Sequence, residues 1–302
     1  MDTSGLRAFC AAVSAGSLSA AARQLGISQP GLSRRVQRLE DELGVALLIR
    51  GAGGIRLTHA GQRFLTFATR TLAEYDAIRA EARFPAGAMA GTIGIVASTT
   101  PGEYLVPELV ARFVDEQPGV KTREFVTDSA GVARHLLDHD RWDVGFSGRR
   151  VDHPRLRYEP IGQDEIVLAA PSSHPLAERS AVTVDDLAGQ RLIQREEGSG
   201  TQQTFVDTLA AHGLALPPQP AAITLGSSGA VLSAVEASLG IGVVSLRAVE
   251  HHASQVRALR VVGVPVVRSL YVVHVIDRDL PAHVRAFIEF ALDVGRGRDD
   301  AG

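Results

Sequence analysis

Ser17–Leu43 reads SLSAAARQLGISQPGLSRRVQRLEDEL, two helical patterns on either side of a tight break at Gly26-Ile27. Ser17 suits an N-cap, because its hydroxyl can accept from the free N–H groups of a first helical turn. The first helix then runs through Ala20, Ala21, Ala22 and Leu25, and Gly26 suits the left-handed residue that ends it. Ser28 caps a second helix, with Ile27 and Leu32 placed as a hydrophobic staple. Apolar residues follow at Val36, Leu39 and Leu43, in steps of 4, 3 and 4, so one face is predicted to be buried. The opposite face carries Pro30, Ser33, Arg34, Gln37 and Arg38, with Gln29 at the tip. Ser and Gln can read base edges in a major groove, and Arg can neutralise phosphate or read guanine. Taken alone, the same pattern also fits an amphipathic helix with a solvated polar face.

Outward from this stretch, residues 3–15 form an earlier helix with Leu6, Phe9, Cys10 and Val13 inward, ending at Gly16. After Gly44, residues 45–50 make a strand, Gly51-Ala52-Gly53-Gly54 a turn, and residues 55–58 a return strand. Arg50 and Arg56 flank this hairpin, where they can reach phosphates or a minor groove. Thr58 caps a long helix from His59 to about Arg83, with Leu65, Ala68, Leu72 and Tyr75 stepping by 3, 4 and 3. A seam near period 3.5 points to pairing with a second helix; the alternative is a helix lying on its own domain. Phe84–Gly91 reads as a hinge.

Beyond the hinge the pattern changes to strands alternating with helices. Strands are predicted at 92–97, 120–126, 143–147, 166–170, 192–194, 222–224, 241–245 and 270–276. Helices are predicted at 104–116, 131–138, 201–213, 228–238 and 281–294, an α/β pattern with largely parallel sheets. The chain of 302 residues is long enough for two or three domains. Its net charge of −3 divides unevenly. Residues 1–63 hold eight Arg against Asp2, Glu40, Asp41 and Glu42, a net of +4 that leaves −7 on the rest. A basic head on an acidic body fits nucleic-acid binding. No long uncharged apolar run or basic-then-apolar start occurs, so neither a membrane span nor a signal peptide is expected. The single Cys10 excludes an internal disulfide, fits a reducing cytoplasm and packs with Leu6 and Phe9.

LRAFCAAVSAGSLSAAARQLGISQPGLSRRVQRLEDELGVALLIR, running into IRLTHAGQRF, closely resembles the N-terminal domain of LysR-type transcriptional regulators. ISQPGLSRRVQRLEDELG carries the resemblance most specifically, and the order of long helix, hinge and α/β body extends it over nearly the whole chain. The resemblance implies an α+β two-part chain: a winged helix-turn-helix at 1–58, a linker or dimerisation helix and hinge at 59–91, and an effector domain at 92–295. That domain is expected to resemble periplasmic binding proteins, with lobe one at 92–161 and 268–295 and lobe two at 162–267. By resemblance, Gln29 and Ser33 fall on base-contacting positions and Ser28, Arg34 and Arg38 near backbone contacts, while Pro30 looks structural because a first helical turn needs no N–H there. Family wings often carry basic residues at the tip, whereas Ala52-Gly53-Gly54 offers none. Implied partners are double-stranded promoter DNA, a small-molecule effector, a second copy or three further copies of the chain, and RNA polymerase.

Four polar stretches follow strands in the α/β body. They are Ser98-Thr99-Thr100-Pro101, Thr127-Asp128-Ser129, Gly198-Ser199-Gly200-Thr201 after Glu196-Glu197, and Gly226-Ser227-Ser228-Gly229. Each can be an ordinary N-cap. Four together at strand ends fit a ligand cleft, and their hydroxyls and free N–H groups favour a small anion, a carboxylate or an oxyanion such as sulfate. The first and third stretches are similar to those of members tied to sulfur or one-carbon metabolism. His135 and His139 have metal spacing but no third ligand, so no metal is expected, and no cofactor motif is present. Neither a P-loop nor a G-x-S-x-G elbow occurs, so no catalytic residues are expected. A helix-turn-helix serving protein contact is the remaining alternative, and the basic recognition face speaks against it.

Overall fold

Asp2 starts the first helix, α1 (Thr3–Ala15), by accepting from the Gly5 N–H at 2.8 Å, and the left-handed Gly16 ends it. The computed structural model describes residues 2–51, 54–81, 89–218 and 223–299. Contacts divide the chain into two compact units, one chiefly of residues 1–92 and the other of residues from 93 onward. In the first unit Ser17 caps α2 (Leu18–Gln24) and Ser28 caps α3 (Gln29–Leu43), accepting from Ala20 N at 3.1 Å and Gly31 N at 3.2 Å. Leu32, Val36 and Leu39 are buried in one core with Leu6, Phe9, Ala12, Ala21 and Ala22. Leu43, expected on that buried face, is 39% exposed, because the helix stops at left-handed Gly44 before the core reaches it.

The predicted first wing strand starts late. Gly44 N and Val45 N bond to Asp41 O and Glu40 O to close the helix, a Schellman pattern, so pairing begins only at β1 (Leu48–Gly51). β1 pairs antiparallel with β2 (Gly54–Leu57), Leu48 opposite Leu57. The hairpin is tied to α3 by Glu40, whose buried carboxylate accepts from Leu47 N at 2.7 Å and Leu48 N at 3.0 Å. Thr58 caps α4 (His59–Glu81), accepting from Gly61 N at 2.8 Å. Gly61 has no room for a side chain, since a Cβ there would lie 2.1 Å from Leu47 O. The first half of the α4 seam packs on its own domain through Ala68 and Leu72, while Phe67, Tyr75 and Ile78 stay exposed. Of the predicted hinge, residues 84–88 lie outside the described residues.

The second unit holds β3 (Ala90–Ser98), α5 (Thr99–Tyr104), α6 (Val106–Glu116), β4 (Gly119–Thr127), α7 (Ser129–Asp138), β5 (Val144–Ser147) and β6 (Leu156–Pro171). It continues with β7 (Ala181–Val182), β8 (Leu192–Arg195), α8 (Gly200–Ala211), β9 (Ile223–Leu225), α9 (Ser228–Glu236), β10 (Ile241–Ser245) and α10 (Leu246–Glu250). β11 (Val256–Val261), β12 (Val267–Val275) and α11 (Ala282–Asp299) complete it. The strand order is β4-β3-β5-β12-β6-β10-β8-β9, with β11 on β6 and β7 on β11. β6 is the strand that both halves share: residues 156–165 pair with β12, and residues 166–171 pair with β10 and β11.

Three expectations change. The sheets are not largely parallel: β6 pairs antiparallel with β10, β11 and β12, because the chain crosses between the halves along extended strands rather than through helices. The strand expected at 166–170 is the last third of the sixteen-residue β6. The helix expected from Tyr104 begins five residues earlier and breaks at Leu105, where Pro107 lacks the N–H that would continue it. A bulge at Ile161 in β6 sits under α11, where a Cβ on Gly295 would lie 2.5 Å from Ile161 O. Trp142 is 3% exposed and packs with Leu136 and Val273.

Removing the Glu40 carboxylate leaves two buried N–H groups without acceptors. Glu40→Ala is expected to cost about 2–6 kcal/mol, from roughly 1–3 kcal/mol for each of the two orphaned groups. Denaturant unfolding of the full chain measures this, and a cost below about 0.5 kcal/mol contradicts the role given to Glu40.

Candidate nucleic-acid interface and ligand cleft

On α3 the predicted reading face is open to solvent. Ser28, Gln29, Pro30, Arg34, Gln37 and Arg38 are exposed and Ser33 is half-buried. Pro30 lies in the first turn, where no N–H is required. Within the helix, Arg34 Nε reaches Pro30 O at 3.4 Å and Gln37 Nε2 reaches Asp41 Oδ1 at 3.1 Å. These weak local bonds hold the side chains along the helix and can be exchanged for contacts with a partner. Arg56 is exposed on β2; Arg50 lies on β1, and its side chain is outside the described residues. Asp2 is held below the ordinary carboxylate range by the Gly5 N–H and the Ser4 hydroxyl, with a further pull from Arg38.

In the second unit three of the four polar stretches converge on one small open cleft, lined by Ser98, Thr99, Thr100, Ser129, Gly198, Ser199, Gly200 and Thr201. The stretches touch across it: the Thr100 and Thr201 hydroxyls lie 3.5 Å apart, and both residues are buried. Gly198 needs its positive φ of 89° to turn the chain into α8. A side chain on Gly200 would meet Ser129 Oγ at 3.5 Å. Ser199 caps α8, accepting from Gln202 N at 3.5 Å. The stretch at Ser227 and Ser228 stands apart. Ser227 is the cap of α9, bonded to Ala230 N, and Ser228 is tied to the cleft wall by its bond from Arg195. Thr127 does not line the cavity.

Sequence reading missed two buried arginines in the wall. Arg268, on β12, donates to Thr100 Oγ1 at 3.0 Å and to Asp164 Oδ2 through Nη2 at 2.8 Å and Nε at 3.0 Å. Asp164 is its cross-strand partner on β6 and also accepts from the Ser245 hydroxyl. Arg195, at the end of β8, makes two 2.8 Å bonds to Glu196 and one of 3.0 Å to Ser228 Oγ. One signal was present. Arg268 shares the alternation of Leu270 and Val272, and Arg195 that of Ile193, so each arginine sits on the buried parity of its strand.

The two units match two family descriptions. Residues 3–62 match "Bacterial regulatory helix-turn-helix protein, lysR family", and residues 86–296 match "LysR substrate binding domain". The chain belongs to the LysR family of transcriptional regulators. An uncharacterized HTH-type transcriptional regulator of Methanocaldococcus jannaschii is 32% identical over 288 residues, covering 95% of this chain and 97% of the relative. The regulator CbbR of Sinorhizobium medicae is 30% identical, covering 96% of this chain and 92% of the relative. Among solved structures, full-length CbnR complexed with its target DNA aligns with a TM-score of 0.68 at 25% identity, over 97% of this chain and all of that one. As a member of this LysR family, the chain is a DNA-binding transcriptional regulator with an effector-binding domain. Among the described residues no single helix is long and apolar enough to cross a membrane.

Beside the cleft, Glu103 Oε2 is buried with no hydrogen-bond partner among the described residues. Burial holds the Glu103 carboxyl above the ordinary carboxylate range, against the pull of Arg195, and burial pushes neighbouring Tyr104 up to about 12. The folded chain therefore binds the Glu103 proton more tightly than the unfolded chain. That stability is full at pH below the ordinary carboxylate range and is lost as pH rises through the raised value. Glu103→Gln is expected to melt with the wild type near pH 4 and increasingly above it toward pH 7. A difference constant across that range contradicts the assignment.

Proposed function

We propose that the chain reads promoter DNA through α3 and changes its DNA complex when a small anionic effector binds in the cleft. The observation that carries the effector half is the buried Arg268 guanidinium set among Ser98, Thr100, Ser129, Ser199 and Thr201. These groups are donors above all, and convergent donors suit an oxyanion or carboxylate. In this reading Gln29 and Ser33 meet base edges, and Ser28, Arg34, Gln37, Arg38, Arg50 and Arg56 meet the backbone. Pro30 shapes the turn that presents them.

The working divisions are a reading head at 1–58, a connecting helix and hinge at 59–91, and an effector domain at 92–295. Exposed Phe67, Tyr75 and Ile78 on α4 support pairing with a second copy, as a dimer or a tetramer. RNA polymerase is a further partner of a DNA-bound regulator of this kind, and the cytoplasm is its place of action. Its relatives are regulators, which supports reading the cleft as a sensor and not a catalytic site. Effector can act only by binding one arrangement of the protein better than another.

Mobility-shift titration against the DNA flanking the chain's own gene tests the head. Ser33→Ala with Arg34→Ala is expected to weaken specific binding about tenfold or more, since a good base contact contributes about 1–3 kcal/mol. Unchanged affinity contradicts the assignment. Binding should also fall steeply with added salt. For the cleft, Thr100→Val is expected to abolish the rise in melting temperature given by an anion that stabilises the wild type, and an unchanged rise contradicts that site.

A further inference from the structure

We infer that the effector is a small hydroxylated acid: one anionic head on Arg268, and neutral hydroxyl groups on Asp128 and Glu196. The inference rests on the reading of the cleft as an anion-binding effector site and narrows the ligand class.

Arg268 supplies the head group's partner. Its Nε and Nη2 are committed to Asp164 and Thr100, while Nη1 has no hydrogen bond among the described residues. The residue is 9% exposed and lines the cleft, so Nη1 is a donor open toward the cleft. Its position is fixed by two close glycines: a Cβ on Gly148 would lie 3.0 Å from Nη1, and one on Gly200 would lie 3.7 Å away. Three hydroxyls add donors. Ser98 Oγ accepts from Gly148 N at 3.1 Å, Ser199 Oγ from Gln202 N, and Thr100 Oγ1 from Arg268. Each is already an acceptor, so each has its own proton to give.

The same wall is unsuited to a ligand that is anionic all round. Arg195 and Arg268 face Asp128 and Glu196 in the lining, so the cleft carries no net charge to attract a bare multivalent anion. Asp128 accepts from Gly131 N, and Glu196 from Arg195; each carboxylate has lone pairs left over. Asp128 Oδ2 lies 3.6 Å from the place a Cβ on Gly198 would take, at the mouth of the α8 turn. A second anionic group there would meet a carboxylate, at a cost; a hydroxyl would donate to it. Donors on one side and carboxylates on the other describe a hydroxy acid or the phosphate ester of a polyol.

Thermal melting of the full chain tests this with matched probes: propionate against lactate and glycerate, and ethyl phosphate against glycerol phosphate. In at least one set the hydroxylated member is expected to raise the melting temperature at a tenfold or more lower concentration than its bare counterpart. Asp128→Ala should erase that difference, and Arg268→Gln should remove the response to both members. Asp128→Asn, which keeps an acceptor for Gly131 N, should let the bare anions stabilise better than they do in the wild type. If bare and hydroxylated members act alike in the wild type, or the difference survives Asp128→Ala, the hydroxyl inference is overturned while the anion site stands. If no probe shifts the melting temperature, the anion site falls as well.

Discussion

The ion pair between Asp164 and Arg268 holds together the place where the effector domain could come apart. Asp164 and Arg268 are directly opposite each other on β6 and β12, where β6 passes from one half of the sheet to the other. Both are buried, so both charges have left water, a loss recovered only with good geometry and further hydrogen bonds. Those bonds are present. Asp164 accepts from Ser245 on the β10 side, and Arg268 donates to Thr100 on the α5 side. One pair thus joins the crossover strands, the second half of the domain and the floor of the cleft. A ligand that engaged Arg268 would touch the strands that join the two halves.

The head is built on a similar constraint. The buried Glu40 carboxylate turns back from α3 and accepts from the N–H groups at the start of β1, which ties the hairpin to α3. Gly54 and Gly61 allow close backbone approach on either side, against Gly16 O and Leu47 O. The exposed face of α3 is then held by packing behind it and needs no bonds of its own to stay presented.

Local chemistry was legible in the sequence. Ser17, Ser28 and Thr58 cap the helices they were expected to cap, because a cap depends on residues three positions away. The order of helices, hairpin and α/β body was legible for the same reason, and the family resemblance rested on it. Three of the four polar stretches meet around one cavity, but the one at Ser227 and Ser228 does not, since strand order and not sequence spacing decides which strand ends are neighbours. Arg268 and Asp164 are 104 positions apart and meet only through the antiparallel register of β6 and β12. Reading the sheets as largely parallel hid that register. Glu40 sits inside the charged run LEDEL and is buried only because the chain folds back over it, which no local pattern signals.

The most direct test is a double-mutant cycle on Asp164→Ala and Arg268→Met, read by denaturant unfolding of the full chain. Each single variant leaves a buried charge alone and is expected to cost about 3–5 kcal/mol. The double variant should recover much of that loss, a coupling of about 2 kcal/mol or more. Additive costs, with no recovery in the double variant, would contradict the claim that this pair holds the crossover.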